Sequence, residues 1–136
     1  MATKIFINLP VEDLNKSVAF FSSLGYIFNP QFTDEKAACM IISDSIFAML
    51  MIKDYFKTYT KKQVSDAKTF TEVLIALDAN SKEEVQQIVA KASALGASIY
   101  SEPQDHGWMY QHSFADLDGH QWEFMYMDVS QLPNQE

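Results

Sequence analysis

The 136-residue chain contains no arginine; its ten basic residues are all lysine. Eighteen acidic residues set against them leave a formal charge of −8. That balance argues against nucleic acid or an anionic membrane as partner, because both are held through basic patches. It also removes the planar fork that grips carboxylates and phosphates at two points, which lysine replaces only as a point charge. Cysteine is nearly absent too. Cys39 stands alone between Ala38 and Met40, so no disulfide can form within the chain. Its neighbours predict a small buried apolar side chain rather than an activated nucleophile. The opening run MATKIFINLP lacks the apolar core of a signal peptide, and no stretch reaches membrane-spanning length. A cytoplasmic protein is expected. Hydrophobic residues are plentiful at 48%, enough for a single domain over residues 1–136 with a sizeable core.

Periodicity gives an order of elements that occurs twice. Ile5, Ile7 and Leu9 alternate with Phe6 and Asn8 as in a strand, and Asp13 then caps a helix with Leu14, Val18 and Phe21 on one face. Gly25 ends that helix, and strand-like runs follow at 26–32, 37–43 and 46–52. In the second half, Val73, Ile75 and Leu77 alternate with Glu72, Leu74 and Ala76. Ser81 and Glu84 form a capping-box pattern ahead of a helix carrying Val85, Ile88, Val89, Ala92 and Leu95. Gly96 ends it, and strands are expected at 98–101, 110–117 and 121–127. The offset between matched residues is 67 for Val18 and Val85, 71 for Gly25 and Gly96, and 74 for Asp44 and Asp118. The first step of four is about one helical turn, so the second helix is longer but keeps its face. An α+β fold follows, with one βαβββ module over about residues 3–53 and another over about 71–128. Residues 54–70 form a linker in which Tyr55, Phe56 and Tyr59 allow a short helix. That linker either packs its rings on the body or forms a flap over a cavity mouth.

The stretch FADLDGHQWEF, residues 114–124, sets one acid, Glu123, in an otherwise apolar strand. A carboxylate there serves as a metal ligand, a general acid or base, or an acceptor for a neighbouring donor. This stretch and INLPVEDLNKSVAFFSSLGY, residues 7–26, together resemble the vicinal oxygen chelate superfamily. That group includes glyoxalase I, extradiol dioxygenases, and fosfomycin- and bleomycin-resistance proteins. The likeness spans nearly the whole chain, although Leu117 stands where proline is usual. Residues 29–44 and 103–114 further resemble a bacterial glyoxalase-like subgroup. The resemblance implies two βαβββ modules forming a half-open, barrel-like cavity. It also implies a homodimer and, in metal-dependent members, four inward ligand positions on the first and last strands of each module.

Those positions fall here on Phe6, Met49, Glu72 and Glu123. Phenylalanine offers no donor atom, and a thioether suits Cu(I) better than the harder ions such enzymes use. No cofactor is therefore favoured; the alternative is a weak divalent ion held by Glu72, Glu123 and His112. Strand parity predicts a ligand-binding wall of Phe6, Asn8, Met49, Glu72, Leu74, Gln121, Glu123 and Met125. Trp108, Tyr110 and His112 would close one side. Glu123 is the candidate acid or base. Lactoylglutathione lyase and extradiol chemistry are not expected, because half the ligand set, any arginine and an inward histidine pair are missing. The expectation is a small-molecule-binding protein, with a metal-dependent glyoxalase-like lyase as the alternative.

Overall fold

A computed structural model describes residues 1–132. It divides into two compact units, the first ending at Ser65 and the second beginning at Asp66. The linker expected from the sequence is therefore shared: its first part packs with the first unit and its last residues with the second.

In the first unit, β1 (Ile5–Val11) is followed by α1 (Leu14–Ser23), β2 (Ile27–Asn29), β3 (Ala37–Ile41), β4 (Ile46–Ile52) and α2 (Lys53–Phe56). The sheet order is β1-β4-β3-β2, with β1 parallel to β4 and the other pairs antiparallel. The Asp13 carboxylate accepts from the Lys16 amide at 3.1 Å, which starts α1 where the sequence placed it. One sheet face carries Leu9, Val11, Ala38, Met40, Ala48 and Leu50, all 5% exposed or less. Leu14, Ser17, Phe20 and Phe21 of α1 are buried with them. Full burial of a side chain such as Leu50 stabilises by about 1.5–3 kcal/mol. The run expected as a strand over 26–32 stops at Asn29. Pro30 opens a 3-10 turn there, and the Asn29 side chain caps it by accepting from the Gln31 amide at 3.0 Å.

The second unit repeats the plan with β5 (Leu74–Asp78), α3 (Lys82–Ala94), β6 (Gln104–Asp105), β7 (Met109–Ala115) and β8 (Gln121–Met127). Its order is β5-β8-β7-β6, again with first and last strands parallel. Ser81 Oγ accepts from the Glu84 amide at 3.0 Å, while Glu84 reaches back to the amide of Asn80 rather than that of Ser81. Ile75, Phe114, Trp122 and Phe124 are buried on the face that α3 covers with Val85, Val89 and Ala92. The strand expected over 98–101 reduces to a single bridge between Ser98 and Ala115, and the paired segment lies farther along at Gln104–Asp105. Pro103, which has no amide hydrogen to give a ladder, separates the two. No helix among the described residues is long and apolar enough to cross a membrane.

Candidate functional site

Each sheet has a second face, and the register fixes which residues share it. Partners across a strand pair point the same way, whereas sequence neighbours point oppositely. In the first unit Phe6 pairs with Phe47 and Asn8 with Met49, and Met49 pairs in turn with Cys39. This face is closed at one end by Ala37, Cys39 and Met51, all buried. It is open at the other, where Phe6 is 53% exposed and Asn8 is exposed. The Phe6 and Phe47 rings stack with centroids 4.8 Å apart and planes 13° from parallel.

In the second unit Leu74 pairs with Gln121, Ala76 with Glu123, and Asp78 with Met125. Glu123 also pairs with Ser113, and Met125 with Gln111. Glu123 is half-buried, and its Oε2 accepts from the Gln111 side-chain amide at 2.9 Å. Gln121 Oε1 accepts from the Thr71 hydroxyl at 2.6 Å. Gln111 is thus the partner of Glu123, the carboxylate near the middle of this face, which carries Asp78 at the end of β5 as well. Its place was available from the hairpin spacing, since Gln111 lies two residues before Ser113 on the same side.

Three expected residues lie elsewhere. Tyr110 and His112 pair with Tyr126 and Phe124, which puts both on the face opposite Glu123. Tyr110 is buried there beneath the Lys82 ammonium, 5.0 Å from the ring centroid. His112 Nε2 lies 3.0 Å from the Ser101 carbonyl oxygen and donates to it. Glu72 precedes β5 in a bend and is exposed. The β3–β4 and β7–β8 hairpins have the same spacing, since Cys39 faces Met49 as Ser113 faces Glu123. On that match the counterpart of Phe6 is Leu74, two residues beyond Glu72. Trp108 lies just before β7, half-buried, with its carbonyl accepting from the Asp128 amide at 2.7 Å.

A cleft of about 450 Å³ lies within the second unit, between the 67–71 segment and the β7–β8 turn, with Ser98, Tyr100 and Gln121 in its walls. The turn is organised by Asp116. One carboxylate oxygen accepts from the amides of Asp118 and His120 at 2.9 and 3.0 Å, and the other from the Trp122 indole at 2.9 Å. Burial pushes this carboxyl above its ordinary value, against the opposing pull of His120, the indole and the Asp118 amide. Gly119 closes the turn with φ at +92°; an added Cβ would lie 2.7 Å from the Lys68 amide nitrogen.

Residues 3–43 match the family model described as bleomycin resistance protein-like N-terminal. A hypothetical protein from S. aureus is 30% identical, with a TM-score of 0.78, over 93% of this chain and 95% of that one. The chain has the fold of the glyoxalase and bleomycin resistance proteins. Two further solved structures share its fold. A glyoxalase-related enzyme from Fulvimarina pelagi is 18% identical, with a TM-score of 0.79, over 95% of this chain and 91% of that one. A genomically encoded fosfomycin resistance protein from Listeria monocytogenes is 23% identical, with a TM-score of 0.69, over 96% and 97% of the two chains. No curated protein matches the sequence.

The divalent ion of metal-dependent superfamily members does not fit the residues present. Phe6 and Leu74 have no donor atoms, the Met49 thioether is soft, and the Glu123 carboxylate already holds an amide. The alternative set of Glu72, Glu123 and His112 is split by the strand pleat and by the bend before β5. Among the described residues no three His, Cys, Asp or Glu side chains gather as an ion site.

Proposed function

We propose that this chain is a member of the vicinal oxygen chelate superfamily that binds an organic small molecule and holds no tightly bound catalytic metal. One observation carries the reading. The open face of the first unit presents Phe6 and Met49, and that of the second Leu74, at positions where the resemblance implies donor atoms; Asn8 on the one and the Gln111-held Glu123 on the other are among the polar groups beside them. Mostly apolar walls with a few placed polar groups are the usual make-up of a small-molecule site. Methionine adds adaptability, since its unbranched thioether repacks around different shapes. Glu123 serves as acceptor for a polar or cationic group of the ligand. A homodimer is part of this reading and rests on the superfamily resemblance.

Thermal shift with and without additives tests it. A ligand at a hundred times its Kd adds about 2.7 kcal/mol to stability. Benzyltrimethylammonium, a small apolar cation, is expected to raise Tm, and Glu123→Gln to abolish the rise. Ni²⁺, Zn²⁺, Mn²⁺ and Fe²⁺ are expected to leave Tm unchanged. A rise with one of these ions that Glu123→Ala removes would establish the metal-dependent lyase reading instead. Sedimentation at the mass of a single chain at high concentration would remove the dimer.

A further inference from the structure

We propose that the open face of the first unit takes a planar heteroaromatic ring, stacked on Phe6 and hydrogen-bonded at its edge by Asn8. This rests on the small-molecule reading above and names the ligand class for that face. A single exposed phenylalanine would be ordinary; what distinguishes this one is its surroundings. Its ring is already fixed by the 4.8 Å, 13° stack on Phe47. Phe47 is itself less exposed and has a second partner, the Lys4 ammonium, 5.8 Å from its centroid. Phe6 has one ring face against Phe47 and is still 53% exposed. A third ring laid on that open side continues the stack with no ordering of protein side chains beforehand.

Asn8 sets the chemistry of the ring's edge. It lies two residues along β1 on the same face and is exposed. Its amide offers donors and an acceptor, which favours a ring bearing both a carbonyl or ring nitrogen and an N–H. Met49, in register with Asn8, is half-buried and supplies a thioether for contact with the ring edge.

The test is an NMR titration of the full chain with quinolin-2-one, its fully saturated bicyclic lactam, and benzyltrimethylammonium. The flat lactam is expected to bind with upfield ring-current shifts of its protons, and the saturated one at least about 5-fold more weakly. Phe6→Leu is expected to weaken the flat lactam about 3- to 10-fold, the range of an aromatic pair, while Phe6→Trp retains it. Asn8→Ala is expected to weaken quinolin-2-one but not naphthalene. Equal binding of flat and saturated lactams, or an unaffected Phe6→Leu variant, overturns the proposal. So does a fall in sedimenting mass in Phe6→Leu, which would make Phe6 a subunit contact. If benzyltrimethylammonium binds and the flat lactam does not, only the stacking proposal fails. If neither binds, the small-molecule reading fails with it.

Discussion

The indole N–H of Trp122 donates to the buried carboxylate of Asp116 at 2.9 Å, joining the last strand of the second unit to the turn that precedes it. Trp122 is 1% exposed and Asp116 is 6% exposed, so neither has water as a substitute partner. The pair explains why an acid stands next to an aromatic run in the sequence: it is the anchor of the hairpin that presents Glu123.

Replacing Asp116 by asparagine is expected to cost about 1–3 kcal/mol, measured by urea unfolding, because an amide NH₂ would then face the indole N–H. The difference from the parent should depend on pH. Burial raises the folded pKa of Asp116 above its ordinary 3.8, so the carboxyl's contribution is fully present below that value. It is lost as pH rises through the folded value, and the gap between parent and variant narrows over that window. A gap that widens with pH would show the anion to be the favoured form.

Gly119→Ala is expected to destabilise by about 2–4 kcal/mol, combining a strained positive φ with overpacking. The new methyl would meet the backbone of Ala67 at 2.8 Å and of Lys68 at 2.7 Å, and backbone cannot swing aside as a side chain can. Amide exchange over residues 66–71 should accelerate in this variant first. Unchanged protection there would mean that the segment is held by something other than the turn.

The Lys82–Asp105 pair, at 2.8 Å, ties the start of α3 to β6. The pairing lowers the Asp105 pKa from 3.8 and raises that of Lys82 from 10.5. Its contribution is therefore lost at the acid end as pH falls through the lowered Asp105 value. At the alkaline end it is lost as pH rises through the raised Lys82 value. Lys82→Met, which keeps the stem over Tyr110, is expected to lower Tm slightly at neutral pH, with the difference closing in 1 M NaCl. A salt-independent difference would point to lost packing instead.

Cys39 is 2% exposed, and burial pushes its thiol above the ordinary value of 9.0. Thiolate is the reactive form, so a thiol reagent at neutral pH should label the native chain far more slowly than the denatured one. Fast labelling of the native protein would contradict this placement.

The doubled βαβββ plan was legible because helix starts, glycine ends and turn acids recur at nearly constant offsets. The open face of β1 was legible for a similar reason, since Phe6 and Asn8 alternate cleanly with apolar neighbours. β7 offered no such contrast. Gln111 and Ser113 lie on one of its faces and His112 on the other, so polarity alone could not decide which side looks toward Glu123; only the hairpin spacing does. Glu72 shows a different limit. Parity groups it with Leu74 and Ala76, but parity is blind to a slide of two residues, and the chain enters its sheet only at Leu74.

In each unit the opening strand hydrogen-bonds to the closing one, Ile5 aligning with Ile46 and Leu74 with Gln121. As the chain is synthesised, β1 must therefore wait without its ladder until four later elements have emerged. Assembly of each half is timed by its most distant pairing, which favours slow folding. Until that pairing forms, the apolar run Ile5–Val11 is the segment most in need of protection from other nascent chains.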